Sequence, residues 1–109
     1  MTKIIEKVAK ELGFSIQFMD LGDCIYHRIN DVYDLEIRGH WARKNKDIRV
    51  WVWDISDGLE SGAKVVESHC YIKDVETLKI IIADIQSEYE NKPHMEMDRY
   101  FQHKQILHA

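Results

Sequence analysis

One proline, five glycines and two cysteines are all the punctuation and crosslinking chemistry in this 109-residue chain. Cys24 and Cys70 stand at no metal or redox spacing, so they read as buried thiols rather than a disulfide. No apolar run approaches the ~18 residues that would span a bilayer. Met1-Thr2-Lys3 leads into an amphipathic segment with no apolar signal-peptide core, so a cytoplasmic protein without a membrane partner is expected. An excess of positive charge is also missing: 15 basic against 19 acidic residues leave a net charge of −4, which disfavours a duplex nucleic-acid binder. P-loop, GxGxxG, GxSxG, HExxH and CxxC patterns are all absent, so the common phosphate-cradling, nucleophile-elbow and zinc signatures have no foothold.

What the chain does have is apolar residues, 45% of the total, enough for one core without metal or disulfide staples. They are organised around Val32 to Ile55, a stretch holding all three tryptophans. Tyr33, Leu35, Ile37, Gly39 and Trp41 alternate with Asp34, Glu36, Arg38 and His40, a period of two that specifies a half-buried strand. Ile48 to Trp53 supplies a second strand rich in β-branched and aromatic residues. A tight turn at Asn45-Lys46, or a loop from Lys44 to Asp47, predicts the pairs Trp41 with Val50, His40 with Trp51, Gly39 with Val52 and Arg38 with Trp53. Leu35, Ile37, Trp41, Ile48, Val50 and Val52 then share a core side, face A. Glu36, Arg38, His40, Arg49, Trp51 and Trp53 share the opposite side, face B.

Around this hairpin the sequence predicts an α+β domain over residues 1–92. Thr2 to Leu12 reads as a helix stopped by Gly13. Phe14 to Met19 is a first strand whose turn allows two registers: a two-residue loop would put the phenylalanines on face B, and a three-residue loop, favoured because it buries both, keeps them on face A. Cys24 to Ile29 is a second strand, turning at Asn30-Asp31. That turn puts His27, Asp34 and Glu36 on face B, with Cys24 and Tyr26 on face A. Ser56 to Ala63 is loop-like. Lys64 to Ile72 is a fifth strand, with Val66, Ser68, Cys70 and Ile72 inward and Val65, Glu67, His69 and Tyr71 on face B. Asp74 caps a long helix from Val75, with Leu78, Ile81, Ile82, Ile85 and Tyr89 at three- and four-residue spacing, packed on face A. The expected sheet is a five-stranded antiparallel meander. Residues 93–109 form a tail, with Met97, Tyr100, Phe101, Lys104 and Leu107 spaced for a short terminal helix packing on the same domain.

Face B carries the functional expectation. Tryptophan and arginine are the residues most enriched at binding hot spots. Arg38, His40, Arg49, Trp51 and Trp53, with His69 and Tyr71, are therefore the expected partner-binding residues. The expected function is a non-enzymatic acidic protein that binds a macromolecule, a protein above all, as an inhibitor or regulatory adaptor. Size and acidity match small accessory proteins of phage or mobile elements, an analogy of scale alone. Three readings compete. The terminal helix or a homodimer could bury face B as ordinary core. A small-molecule or metal-dependent enzyme could use His27, His40 and His69 with nearby carboxylates. Single-stranded nucleic acid could stack on the aromatics. No cofactor, metal site or catalytic residue is specified by any spacing in the chain.

Overall fold

The computed structural model describes residues 3–19, 22–39, 48–56, 62–92 and 104–108. Among these residues, two helices cover one face of a six-stranded sheet whose strand order follows the chain, β1 to β6. Helix α1 is Lys3–Leu12 and helix α2 is Val75–Tyr89. The strands are β1 (Ile16–Met19), β2 (Gly22–Arg28), β3 (Tyr33–Arg38), β4 (Ile48–Asp54), β5 (Lys64–Ile72) and β6 (Lys104–Leu107). Neighbours from β1 to β5 run antiparallel, and β6 runs parallel to β5. A parallel neighbour requires a crossover connection, and α2 lies in the chain between those two strands.

The helices follow their sequence signals. Gly13 adopts φ +71°, the left-handed conformation that a helix C′ residue needs and that costs glycine least. Phe14 N–H then donates to Ala9 O at 2.9 Å. Asp74 accepts from Thr77 N–H at 2.7 Å and caps α2. Leu78, Ile81, Ile82, Ile85 and Tyr89 of α2 join Ile5, Val8 and Ala9 of α1 in one apolar cluster with Leu35, Ile37, Val50 and Val52 of the sheet. Face A is therefore the core side, as the alternation implies.

The strand registers differ from expectation in instructive ways. β3 and β4 pair Leu35 with Val52, Glu36 with Trp51, Ile37 with Val50 and Arg38 with Arg49. The expected register would have set Leu35 against Ser56 and Ile37 against Asp54. Matching apolar pairs beneath α2 outweighs the tight-turn propensity of Asn45-Lys46. The shift is an even number of residues, so every side chain keeps its face. The turn itself, with His40 and Trp41, lies outside the described residues.

Between β2 and β3 the shift is odd and the faces change. Ile25 pairs with Ile37, Tyr26 with Glu36, His27 with Leu35 and Arg28 with Asp34. Tyr26 therefore stands on face B and His27 on face A, the reverse of the expected placement. The cause is Asn30. Its Oδ1 accepts from Val32 N–H and Tyr33 N–H, both at 2.9 Å, while Ile29 N–H donates to Tyr33 O at 3.0 Å. The result is a three-residue loop instead of a two-residue turn. Asn30 Nδ2 also donates to Tyr89 O at 2.8 Å and Glu90 O at 3.0 Å. These are carbonyls at the end of α2 that lack intrahelical partners. Met19 pairs with Gly22, so the β1–β2 loop is two residues, shorter than expected. With β2 turned over, that shorter loop still sets Ile16 on face A opposite Ile25.

Two irregularities reshape β5. Ile48 faces Ile72, Val50 faces His69, Val52 faces Glu67 and Trp53 faces Val65, with shifts between Ile48 and Val50 and between Val52 and Trp53. Val66 and Ile72 stay in the core as expected. Between them the alternation is reversed, so Glu67 and His69 point to face A and Ser68, opposite Trp51, points to face B. Each bulge inserts an unmatched residue and flips the side chains beyond it. Finally, Lys104–Leu107 is a strand, where the expected terminal helix was to end, and the rest of that helix, with Met97, Tyr100 and Phe101, lies outside the described residues. The outer edge of β5 presents backbone donors and acceptors that a strand satisfies and a helix cannot.

Asn30→Ala removes two turn bonds and two helix-end bonds at once. We expect a loss of about 2–3 kcal/mol in urea unfolding, since each net hydrogen bond is worth ~0.5–1.5 kcal/mol. A loss below ~0.5 kcal/mol would show that neither the loop nor the helix end depends on this side chain.

Candidate functional site

Cross-strand pairing arranges face B in rows. One row runs Arg28, Asp34, Trp53, Val65, and the next runs Tyr26, Glu36, Trp51, Ser68. Arg38 and Arg49 face each other beyond them. Two arginines in register repel unless one is neutralised. Glu36 Oε2 lies 2.5 Å from Arg38 Nε and supplies that charge. Arg38 is buried, whereas Arg49, Trp51 and Trp53 are half-buried. Both helices contribute to the core cluster on face A, and neither tryptophan belongs to it.

The Asp34 carboxylate is the deepest charge of the strip, with no exposed surface. The Tyr26 hydroxyl donates to its Oδ2, and Arg28 Nε stands 3.4 Å from Oδ1 on a side chain that is 54% exposed. Burial raises its pKa from 3.8 to about 6. Among the described residues, Asp34 Oδ1 and its cross-strand neighbour Trp53 Nε1 are buried side-chain atoms without a hydrogen-bond partner. Asp34 Oδ1 keeps the Arg28 guanidinium at 3.4 Å, whereas a buried indole N–H without a partner costs ~1–3 kcal/mol and is uncommon in folded proteins.

The remaining expected contact residues separate. His40 lies outside the described residues. Tyr71 is exposed and holds φ +61°, a left-handed conformation unusual for a bulky side chain, within the bulged end of β5. His69 is buried on face A beneath α2. His27 stacks on Phe14, with ring centroids 4.2 Å apart, and burial lowers its pKa. His27 on β2 and His69 on β5 are separated by three strand spacings, about 14 Å. Those two histidines therefore do not share a site. Among the described residues no group of three His, Cys, Asp or Glu side chains could hold a metal ion.

Face A instead carries a polar chain that the alternation did not foretell. Tyr89 O–H donates to Glu67 Oε1 at 3.0 Å, and His69 Nε2 lies 2.6 Å from Glu67 Oε2. His69 Nδ1 lies 2.8 Å from His108 Nε2. Burial alone would raise the pKa of Glu67. The hydrogen bonds from His69 and Tyr89, with the charges of His69 and Lys104, outweigh burial and hold it below the ordinary value. Burial and the Glu67 charge push the Tyr89 phenol far up, so it stays a donor. Glu67 and His69 have the i, i+2 spacing of a shared strand face, a signal present in the sequence. Which face they share depended on the bulges.

Comparison with protein-family models, curated proteins and solved structures yields no match. No helix among the described residues is long and apolar enough to cross a membrane.

The raised pKa of Asp34 has a stability consequence of definite sign. Protonated Asp34 suits its buried site, so the contribution is full below pH 3.8 and is lost as pH rises through about 6. We expect the stability advantage of Asp34→Asn over wild type to grow by roughly 2–3 kcal/mol between pH 4 and pH 7 in urea unfolding. A pH-independent difference would show that the carboxylate is well solvated in the folded protein.

Proposed function

We propose that this protein acts by binding another protein, as an inhibitor or regulatory adaptor, through face B of β3 and β4. The observation that carries the reading is the position of Trp51 and Trp53. Both indoles stand on the side away from the helices, outside the core cluster, each in register with a carboxylate, Glu36 or Asp34. Half-buried indoles bordered by charge combine large apolar area with polar orientation, the composition of a hot spot. Arg49 and the exposed Arg28 flank them as contact groups. Arg38 works one step back by neutralising Glu36.

The chemistry of the strip favours a protein over the alternatives. Asp34 and Glu36 lie among the aromatics, so the face is not the uniformly cationic track that a phosphate backbone selects. The enzyme reading based on His27, His40 and His69 lacks convergence of the two histidines whose positions are described.

Capture from a lysate of the source cells tests the reading, using the wild type and a Trp53→Ala/Arg49→Ala variant shown by circular dichroism to be folded. The variant should retain the captured protein at least ~10-fold less well, the effect of losing hot-spot side chains. Equal capture by both would remove face B as the contact surface. Conversion of a dimer to a monomer by the same substitutions would make the partner a second copy of the chain.

A further inference from the structure

The imidazoles of His69 and His108 join two strands at the edge of the sheet. Their rings are nearly parallel, 20° apart, with centroids separated by 5.1 Å, and His69 Nδ1 meets His108 Nε2 at 2.8 Å. Glu67 fixes the other end of His69. A carboxylate only accepts, so the His69 nitrogen facing it, Nε2, carries a proton. The short Nδ1···Nε2 contact then needs one proton between the two rings. His108 can donate to a neutral His69, or a doubly protonated His69 can donate to a neutral His108. Two imidazolium rings leave two N–H groups pointing at each other, and the contact cannot persist.

We propose that this histidine pair is a proton-operated latch that holds β6 on β5 at neutral pH and releases it when both rings become charged. β6 is suited to release. It is four residues long, has β5 as its only described neighbour, and exposes Lys104, Gln105 and Leu107. Its attachments next to the latch are the His108 N–H to Cys70 O bond at 2.9 Å and the Lys104 Nζ to Glu67 Oε1 contact at 3.7 Å.

Among the described residues, the titratable groups around the latch come from three elements. β5 supplies Glu67, β6 supplies Lys104, and α2 supplies Tyr89, which remains neutral. The β4 residues opposite, Val50 and Val52, do not titrate. Burial and the neighbouring His69 both lower the pKa of His108 below 6.5. The detached strand thus binds more protons than the docked one, so docking is full above pH 6.5 and is lost as pH falls through the lowered value. Glu67 is held below 4.5 and stays ionised through that window. Its Oε2 contacts His69 Nε2, on the side of that ring away from His108. Release leaves the edge of β5, with the bulged Tyr71 and Cys70, open for pairing with another strand.

Amide exchange by NMR, combined with carbon-detected histidine titration, tests the latch on the full chain. Between pH 7.5 and 5, protection factors of the β6 amides should fall by at least ~10-fold while those of β3 and β4 change by less than ~3-fold, as local opening requires. The loss should share its midpoint with the titration of His108. In His108→Gln, whose amide donates to His69 Nδ1 without titrating, β6 protection should not depend on pH. Titration of His108 without loss of β6 protection would overturn the proposal. So would a pH-dependent loss that survives in His108→Gln. Should the Gln variant fail to dock β6 at any pH, the coincidence of midpoints in the wild type decides.

Discussion

The fold depends on how one buried carboxylate is satisfied. Glu67 sits in the middle of β5, on the side covered by α2, with almost no exposed surface. An unpaired charge there would cost several kcal/mol. Three elements answer it: Tyr89 from the last turn of α2, His69 two residues along the same strand, and Lys104 from β6. The same turn of α2 is held from the other side by Asn30, which donates to the carbonyls of Tyr89 and Glu90. The C-terminal end of the helix is thus fixed to the β2–β3 loop and to β5 at once. Between these anchors Tyr33 meets Tyr89 edge to face, with ring centroids 4.8 Å apart.

This arrangement divides the two faces of the sheet. Face A combines an apolar core with a polar chain of Tyr89, Glu67, His69 and His108 whose members satisfy one another, as buried networks must. Face B carries charge, indole and phenol in adjacent rows, with Glu36 paired to Arg38 and Asp34 paired to Tyr26 and Arg28. The proposal that a partner binds face B rests on its half-buried indoles, Trp51 and Trp53.

Much of this was legible from residue order. The spacing of Leu78, Ile81, Ile82 and Ile85 with the Asp74 cap specified α2, and Gly13 specified the end of α1, because these signals are local. The faces of β3 and β4 were legible for the same reason, and an even register shift left them intact. The rest turned on contacts distant in sequence. Asn30 chose its loop partly through bonds to a helix some sixty residues later. The bulges of β5 leave Val66 and Ile72 in the alternation pattern and reverse what lies between. That reversal moved His69 from the predicted binding face into the core. β6 was hidden because a four-residue strand is specified by the edge it joins, and its own sequence equally resembled part of an amphipathic helix.

The claim on which these points converge is that Glu67 is buried against Tyr89 rather than displayed on face B. A double-mutant cycle of Glu67→Gln and Tyr89→Phe in urea unfolding measures that contact directly. We expect a coupling energy of about 1.5–3 kcal/mol, the range for a hydrogen bond to a charged group. Additive effects, with coupling within ~0.3 kcal/mol of zero, would contradict it and return Glu67 and His69 to the opposite face.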